Sequence, residues 1–70
     1  METNEKQVSN NIKALIRKYG LTSYIVAERM NLSRATISSI INKPFKCNVN
    51  RLNDVANAIG CNIDEFFMPL

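Results

Sequence analysis

The chain has 70 residues, of which 46% are hydrophobic, and it carries a formal net charge of +3 with no histidine. A chain this short is expected to form one domain over residues 1–70, with about residues 1–4 flexible, and it offers little room for an active-site cleft. Without histidine, and without a nucleophile paired with a base at motif spacing, we expect no enzyme activity, no cofactor and no small-molecule ligand.

The first predicted helix covers Glu5 to Tyr19. Its apolar residues recur at the spacing of one helical stripe, and Gly20 is placed to end the helix in a left-handed conformation. The residues of this stripe are Val8, Ile12, Leu15, Ile16 and Tyr19.

Two further short helices are predicted between Thr22 and Asn42. Thr22 is a suitable N-cap for the second helix and Ser33 for the third, because their hydroxyl oxygens accept from free backbone N–H groups. Asn31 tolerates the left-handed conformation that a tight turn between the helices needs. Pro44 disfavours helix at the residue before it, so the third helix should end by about Asn42.

The C-terminal part predicts a fourth helix opened by Asn50 and closed by Gly60. Asn62 and Glu65 have the spacing of a capping box for a brief fifth helix through Phe67. Nothing in the chain shows the alternation of a β-strand. The expected fold is therefore all-α, a compact five-helix bundle.

The segment from Thr22 to Asn42 has the pattern of a DNA-binding helix-turn-helix. Ala27 is small enough for a close helix crossing, while Ile37 and Ile40 would pack the third helix inward. The opposite face of that helix is small and polar except for Arg34, which suits insertion into a major groove. An ordinary solvated surface is the alternative for the small residues, and a phosphate contact is the alternative to a base contact for Arg34.

Basic residues are concentrated in the middle of the chain. Five basic and no acidic residues lie between Arg29 and Asn53, whereas three acidic and no basic residues follow from Asp54 onward. Neutralising phosphates with Lys and Arg releases counterions and supplies much of the energy of nucleic-acid binding. The distribution favours a polyanionic partner, with a solvated charged face as the alternative.

Sequence features also bear on metals and on the cell compartment. Cys47 and Cys61 form no Cys-x-x-Cys pair, so we expect no metal site and reduced thiols, with incidental oxidation as the alternative. No apolar run approaches the roughly 20 residues of a membrane span. Met1 to Lys18 also lacks the apolar stretch of a secretory signal. A cytoplasmic protein is expected.

These motifs resemble the helix-turn-helix of the lambda repressor-like family, the phage Cro and repressor type also called the XRE family. The positions of the family pattern hold Ala27, Asn31, Leu32, Ser33, Ile37 and Ile40, with Asn31 in place of the usual Gly. The segment from Arg51 to Phe67 is similar to the family's fourth and fifth helices, which extends the resemblance over about Val8 to Phe67. Ser23 departs from it, since the family often has Gln there to contact a phosphate.

The resemblance implies a bacterial or phage-encoded Cro/repressor-like transcriptional repressor, associated with the nucleoid when bound. Its third helix would enter the major groove of a pseudo-palindromic, double-stranded DNA operator. The implied base contacts are Arg34, Ala35, Ser38 and Ser39. The implied backbone contacts are Ser23, Ser33, Thr36, Asn42, Lys43, Lys46 and Arg51. Because one arginine gives few direct base contacts, part of the specificity is expected from DNA shape.

The family usually binds DNA as a symmetric dimer, and the apolar tail is the candidate interface. The expected homodimer contacts are Phe66, Phe67, Met68 and Leu70. The alternative is that the tail packs against the core of its own chain. Two rival functions also stay open: an antitoxin or restriction-controller regulator, and a helix-turn-helix module that binds proteins and not DNA.

Overall fold

The computed structural model describes residues 4–68, which form four α-helices and two 3-10 helices. The α-helices are α1 (Glu5–Lys18), α2 (Ser23–Arg29), α3 (Arg34–Asn42) and α4 (Val49–Ile59). The 3-10 helices are the loop turn (Pro44–Lys46) and the tail turn (Ile63–Phe67). Among residues 4–68, no helix has the length and apolar character that crossing a bilayer requires.

The all-α prediction is confirmed, but the prediction of five α-helices is wrong. The described residues contain four α-helices, and the expected fifth is the tail turn, a 3-10 helix of five residues. Its predicted capping box is present, because Asn62 accepts from the backbone of Asp64 while Glu65 accepts from the backbone of Asn62. Such short segments commonly use the tighter i to i+3 bonds, and Pro69 disfavours helix at Met68.

Two predicted boundaries also shift. The helix α1 ends at Lys18, and Tyr19 is 41% exposed, so Tyr19 is not part of the buried stripe. The helix α4 begins at Val49 and not at Asn50, because Asn48 is the residue whose side chain accepts from the backbone N–H of Arg51, at 2.8 Å. A cap is set by that hydrogen bond, which spacing of the apolar residues does not reveal.

The helix-turn-helix forms as its local signals predict. Thr22 accepts from the backbone N–H of Ile25 at 3.3 Å, and Ser33 accepts from that of Thr36 at 3.2 Å. Asn31 has a φ of +58°, the left-handed conformation. The chain reverses there and the backbone N–H of the next residue bonds to the Ala27 carbonyl at 2.8 Å, so α3 starts immediately after the turn.

One apolar core joins all four α-helices to the tail turn. Ala27 of α2 is 3% exposed, which agrees with its expected place at a close crossing, and Ile41 of α3 is also buried. The core residues are Val8, Ile12, Leu15, Ile16, Val26, Ala27, Ile37, Ile40, Ile41, Leu52, Val55, Ala56, Ile59 and Phe66.

The presence of Phe66 in this core corrects the expected dimer contacts. Its side chain is 0% exposed, so it is not available to a second chain. Phe67 and Met68, by contrast, are 41% and 53% exposed. Leu70 lies outside the described residues.

A buried amide connects the tail to α1. The Asn11 side chain is 0% exposed and donates to the carbonyls of Phe66 at 2.8 Å and Met68 at 2.6 Å. Its own oxygen accepts from the side chain of Gln7 at 2.8 Å. The satisfied amide thus supplies the hydrogen bonds that the tail backbone would otherwise lack.

Replacing Asn11 with Ala should lower the free energy of unfolding by about 1 to 3 kcal/mol, because the buried Phe66 carbonyl loses its donor. Urea denaturation followed by circular dichroism measures this change. Asn10→Ala is the matched control, since Asn10 is exposed on the same helix. Equal stability of the two variants would contradict a role for the buried amide.

Candidate nucleic-acid interface

The helix α3 divides into an inner and an outer face. Ile37, Ile40 and Ile41 are buried and fix the helix against the core. The four residues predicted to contact bases are all exposed on its other side, namely Arg34, Ala35, Ser38 and Ser39. Small exposed side chains allow a helix backbone to approach base edges closely, so this face can enter a major groove.

Polar side chains at the start and on the outer face of α3 form two separate hydrogen-bonded pairs. Ser33 and Thr36 share a hydrogen bond of 2.8 Å between their hydroxyl oxygens, and Asn42 donates to the Ser38 hydroxyl at 3.3 Å. Each hydroxyl has one donor and two acceptor positions. Because these bonds leave capacity unused, the side chains can still bond to a phosphate or a base edge.

The guanidinium of Arg34 stacks on an aromatic ring that sequence analysis did not single out. The Arg34 guanidinium carbon lies 4.0 Å from the centroid of the Tyr24 ring, a cation–π geometry. Tyr24 is in the first turn of α2 and is 55% exposed. Nothing local in the sequence links two residues ten positions apart, so only the angle between α2 and α3 reveals the contact.

A cleft with basic and polar side chains around an apolar floor opens between α1, the start of α2 and the C-terminal half of α3. Three residues predicted to contact DNA, Ser23, Ser38 and Asn42, line it together. Lys13 and Arg17 of α1 line the same cleft of about 370 Å³ and were missed. Their i, i+4 spacing was a signal that they share one helix face, but not that this face meets α3.

The loop after α3 carries Lys43 and Lys46, both exposed. Pro44 is buried and anchors this loop to the core. The loop is also attached to the start of α1, where a Glu5 carboxylate oxygen accepts from the backbone N–H of Phe45 at 3.2 Å. The two lysines therefore project from a backbone that is fixed next to the end of α3.

Arg51, another predicted phosphate contact, lies on α4. It is exposed in the first turn of α4 and lines a second cleft with Arg29, Asp54 and Asn57. Arg29 donates to the Ala58 carbonyl at 2.8 Å, which connects α2 to the end of α4. The structure does not bring Arg51 into the cleft of Ser23, Ser38 and Asn42.

The two thiols are free and partly buried. Burial, and secondarily the negative charge of Glu65, raise the pKa of the Cys61 thiol. A raised pKa keeps a thiol in its weakly nucleophilic neutral form. Among residues 4–68, no three His, Cys, Asp or Glu side chains come together as a ligand set.

Comparison with known proteins adds one finding. A family model described as the Cro/C1-type HTH DNA-binding domain matches residues 11–68, most of the chain. The matched span contains α2, the turn at Asn31, α3 and α4. No curated protein and no solved structure matches the chain significantly.

Proposed function

This chain belongs to the family of Cro/C1-type helix-turn-helix DNA-binding domains, and we propose that it is a transcriptional repressor of the Cro type. It binds a pseudo-palindromic operator as a dimer, with α3 in the major groove of each half-site. The observation that carries the proposal is the two-sided character of α3, which combines three buried isoleucines with an exposed face of small polar residues and one arginine.

Base contacts come from the exposed face of α3. Arg34 bonds to a guanine edge, while Ser38 and Ser39 donate to or accept from either strand, and Ala35 contacts a thymine methyl. Only Arg34 has the bidentate geometry that discriminates strongly. The remaining specificity therefore comes from the shape and deformability of the operator.

Phosphate contacts flank α3 on two surfaces. The cleft supplies Lys13 and Arg17 together with the polar side chains of Ser23 and Asn42. The loop turn adds a second basic surface, since Lys43 directly follows α3 and Lys46 lies close behind. Positive charge beside a groove-binding helix fixes its register on the duplex. Ser33 and Thr36 at the start of α3, and Arg51 on α4, complete the proposed backbone contacts.

The dimer interface forms around the tail. Phe67 and Met68 are exposed apolar side chains at the end of the described residues, and the bonds from Asn11 hold their backbone in place. Exposed apolar groups on a small domain favour burial against a partner. A two-fold dimer through this surface would present two copies of α3 to two half-sites.

Selection of bound duplexes from a random pool, followed by footprinting, tests the proposed function. We expect two inverted half-sites separated by about one helical turn of DNA, and an affinity that falls steeply with salt. Absence of any preferred duplex, together with an affinity independent of salt, would show a protein-binding module and not a DNA-binding regulator.

Arg34→Ala should weaken operator binding by about 1 to 3 kcal/mol and relax the preference at one base position, because a bidentate contact to guanine is lost. Fluorescence anisotropy on a panel of single-base operator variants measures both effects. Lys46→Ala is the comparison, and it should weaken all sequences alike. Equal losses with unchanged preference in both variants would show that Arg34 contacts only phosphate.

Lys13→Ala combined with Arg17→Ala should lower the slope of log affinity against log salt by about two, since each lost phosphate contact removes about 0.9. The measurement is a salt titration of operator binding. Lys18→Ala provides the matched control, because Lys18 is exposed on α1 but does not line the cleft. A slope that the double variant leaves unaltered would exclude the cleft from the interface.

Met68→Glu should raise the dimer dissociation constant about tenfold or more, because a charge would be buried without a partner. Sedimentation equilibrium over a range of concentrations measures the change. Phe45→Ser is the control, since Phe45 is also 53% exposed but lies in the loop turn. A wild-type chain that stays monomeric at high concentration and on operator DNA would rule out the dimer.

A further inference from the structure

Tyr24 is an exposed aromatic residue whose ring contacts the arginine at the start of α3. The ring is 55% exposed, and the Arg34 guanidinium carbon lies 4.0 Å from its centroid. A side chain this exposed adds little to the core. Its contact with a candidate DNA-binding residue therefore calls for a functional explanation.

The contact with the Tyr24 ring restricts the directions in which the Arg34 guanidinium can donate hydrogen bonds. The Tyr24 ring occupies one side of the guanidinium, while the N–H groups along the guanidinium edges stay free to donate. Bidentate bonding to guanine uses two of these edge N–H groups in a defined plane. A contact with a phosphate depends less on orientation, because the attraction between the guanidinium and phosphate charges does not require the guanidinium plane to point in a particular direction.

The stacked position also lowers the entropic cost of binding. A free arginine side chain on a surface has many rotamers, and fixing them opposes complex formation. The contact with Tyr24 restricts these rotamers before DNA arrives. Because Tyr24 is in the first turn of α2, the orientation of Arg34 is tied to the packing of α2 against α3.

We propose that Tyr24 is a positioning residue that holds the Arg34 guanidinium for a guanine edge, so that Tyr24 determines specificity at one base position. This inference rests on the proposed function, since it concerns the same base-contacting face. It also selects the base contact over the phosphate contact for Arg34.

The test compares Tyr24→Phe with Tyr24→Leu, because Phe keeps the ring face and Leu removes it. On the best duplex from the random pool, Tyr24→Leu should bind about two- to fivefold more weakly, the range expected for an exposed cation–π contact. The preference for guanine over other bases at the Arg34 position should fall by a similar factor. Tyr24→Phe should keep both properties, and thermal unfolding should show all variants folded.

A double-variant cycle separates positioning from direct contact. In the Arg34→Ala background, Tyr24→Leu should have no further effect on affinity or preference, since there is no guanidinium to hold. A loss that persists undiminished in that background would show that Tyr24 contacts DNA itself, and it would overturn the proposal.

A measurement on the free protein supplies an independent readout. The Arg34 side-chain protons should carry a ring-current shift in NMR spectra of the wild type and Tyr24→Phe, and lose it in Tyr24→Leu. An unchanged shift in Tyr24→Leu overturns the stacking. Specific binding by the wild type with an unaltered base preference in Tyr24→Leu overturns only the positioning role. Absence of any specific duplex overturns the proposed function, and this inference with it.

Discussion

The close packing of α2 against α3 is the constraint on which the other features of this protein depend. It requires a small residue at the crossing, which Ala27 provides at 3% exposure, and a reversal within very few residues, which Asn31 provides at a φ of +58°. A larger side chain at the crossing would separate the helices, and a β-branched residue at the turn would be strained. This packing sets the angle at which the outer face of α3 is exposed, and it brings Tyr24 to Arg34.

A chain of 70 residues has to use single helices for both stability and binding. In α3 the division is by face, since three isoleucines complete the core while the remaining side chains are small apart from Arg34. Further positive charge is placed on neighbouring elements, including α1 beside the cleft and the loop turn. The groups proposed to contact bases therefore lie on α3, whereas the lysines and the arginine of α1 and the loop turn that are proposed to contact phosphate lie beside it.

One buried amide, that of Asn11, fixes which side chains of the tail are buried and which are exposed. Asn11 bonds to the carbonyls of Phe66 and Met68, which fixes the backbone on both sides of Phe67. With that backbone fixed, Phe66 fills the core while Met68 stays exposed. An apolar tail with the same composition but without the amide would have no reason to adopt this arrangement.

Local interactions were determined by the sequence alone. The caps at Thr22 and Ser33, the left-handed turn and the buried stripe of α3 all depend on residues within about four positions of one another, which spacing rules describe. Contacts between distant residues were decided only by the tertiary structure. The Tyr24–Arg34 stack, the approach of Lys13 and Arg17 to α3, and the burial of Phe66 depend on helix crossing angles and on a hydrogen bond spanning 55 residues, which no local pattern encodes.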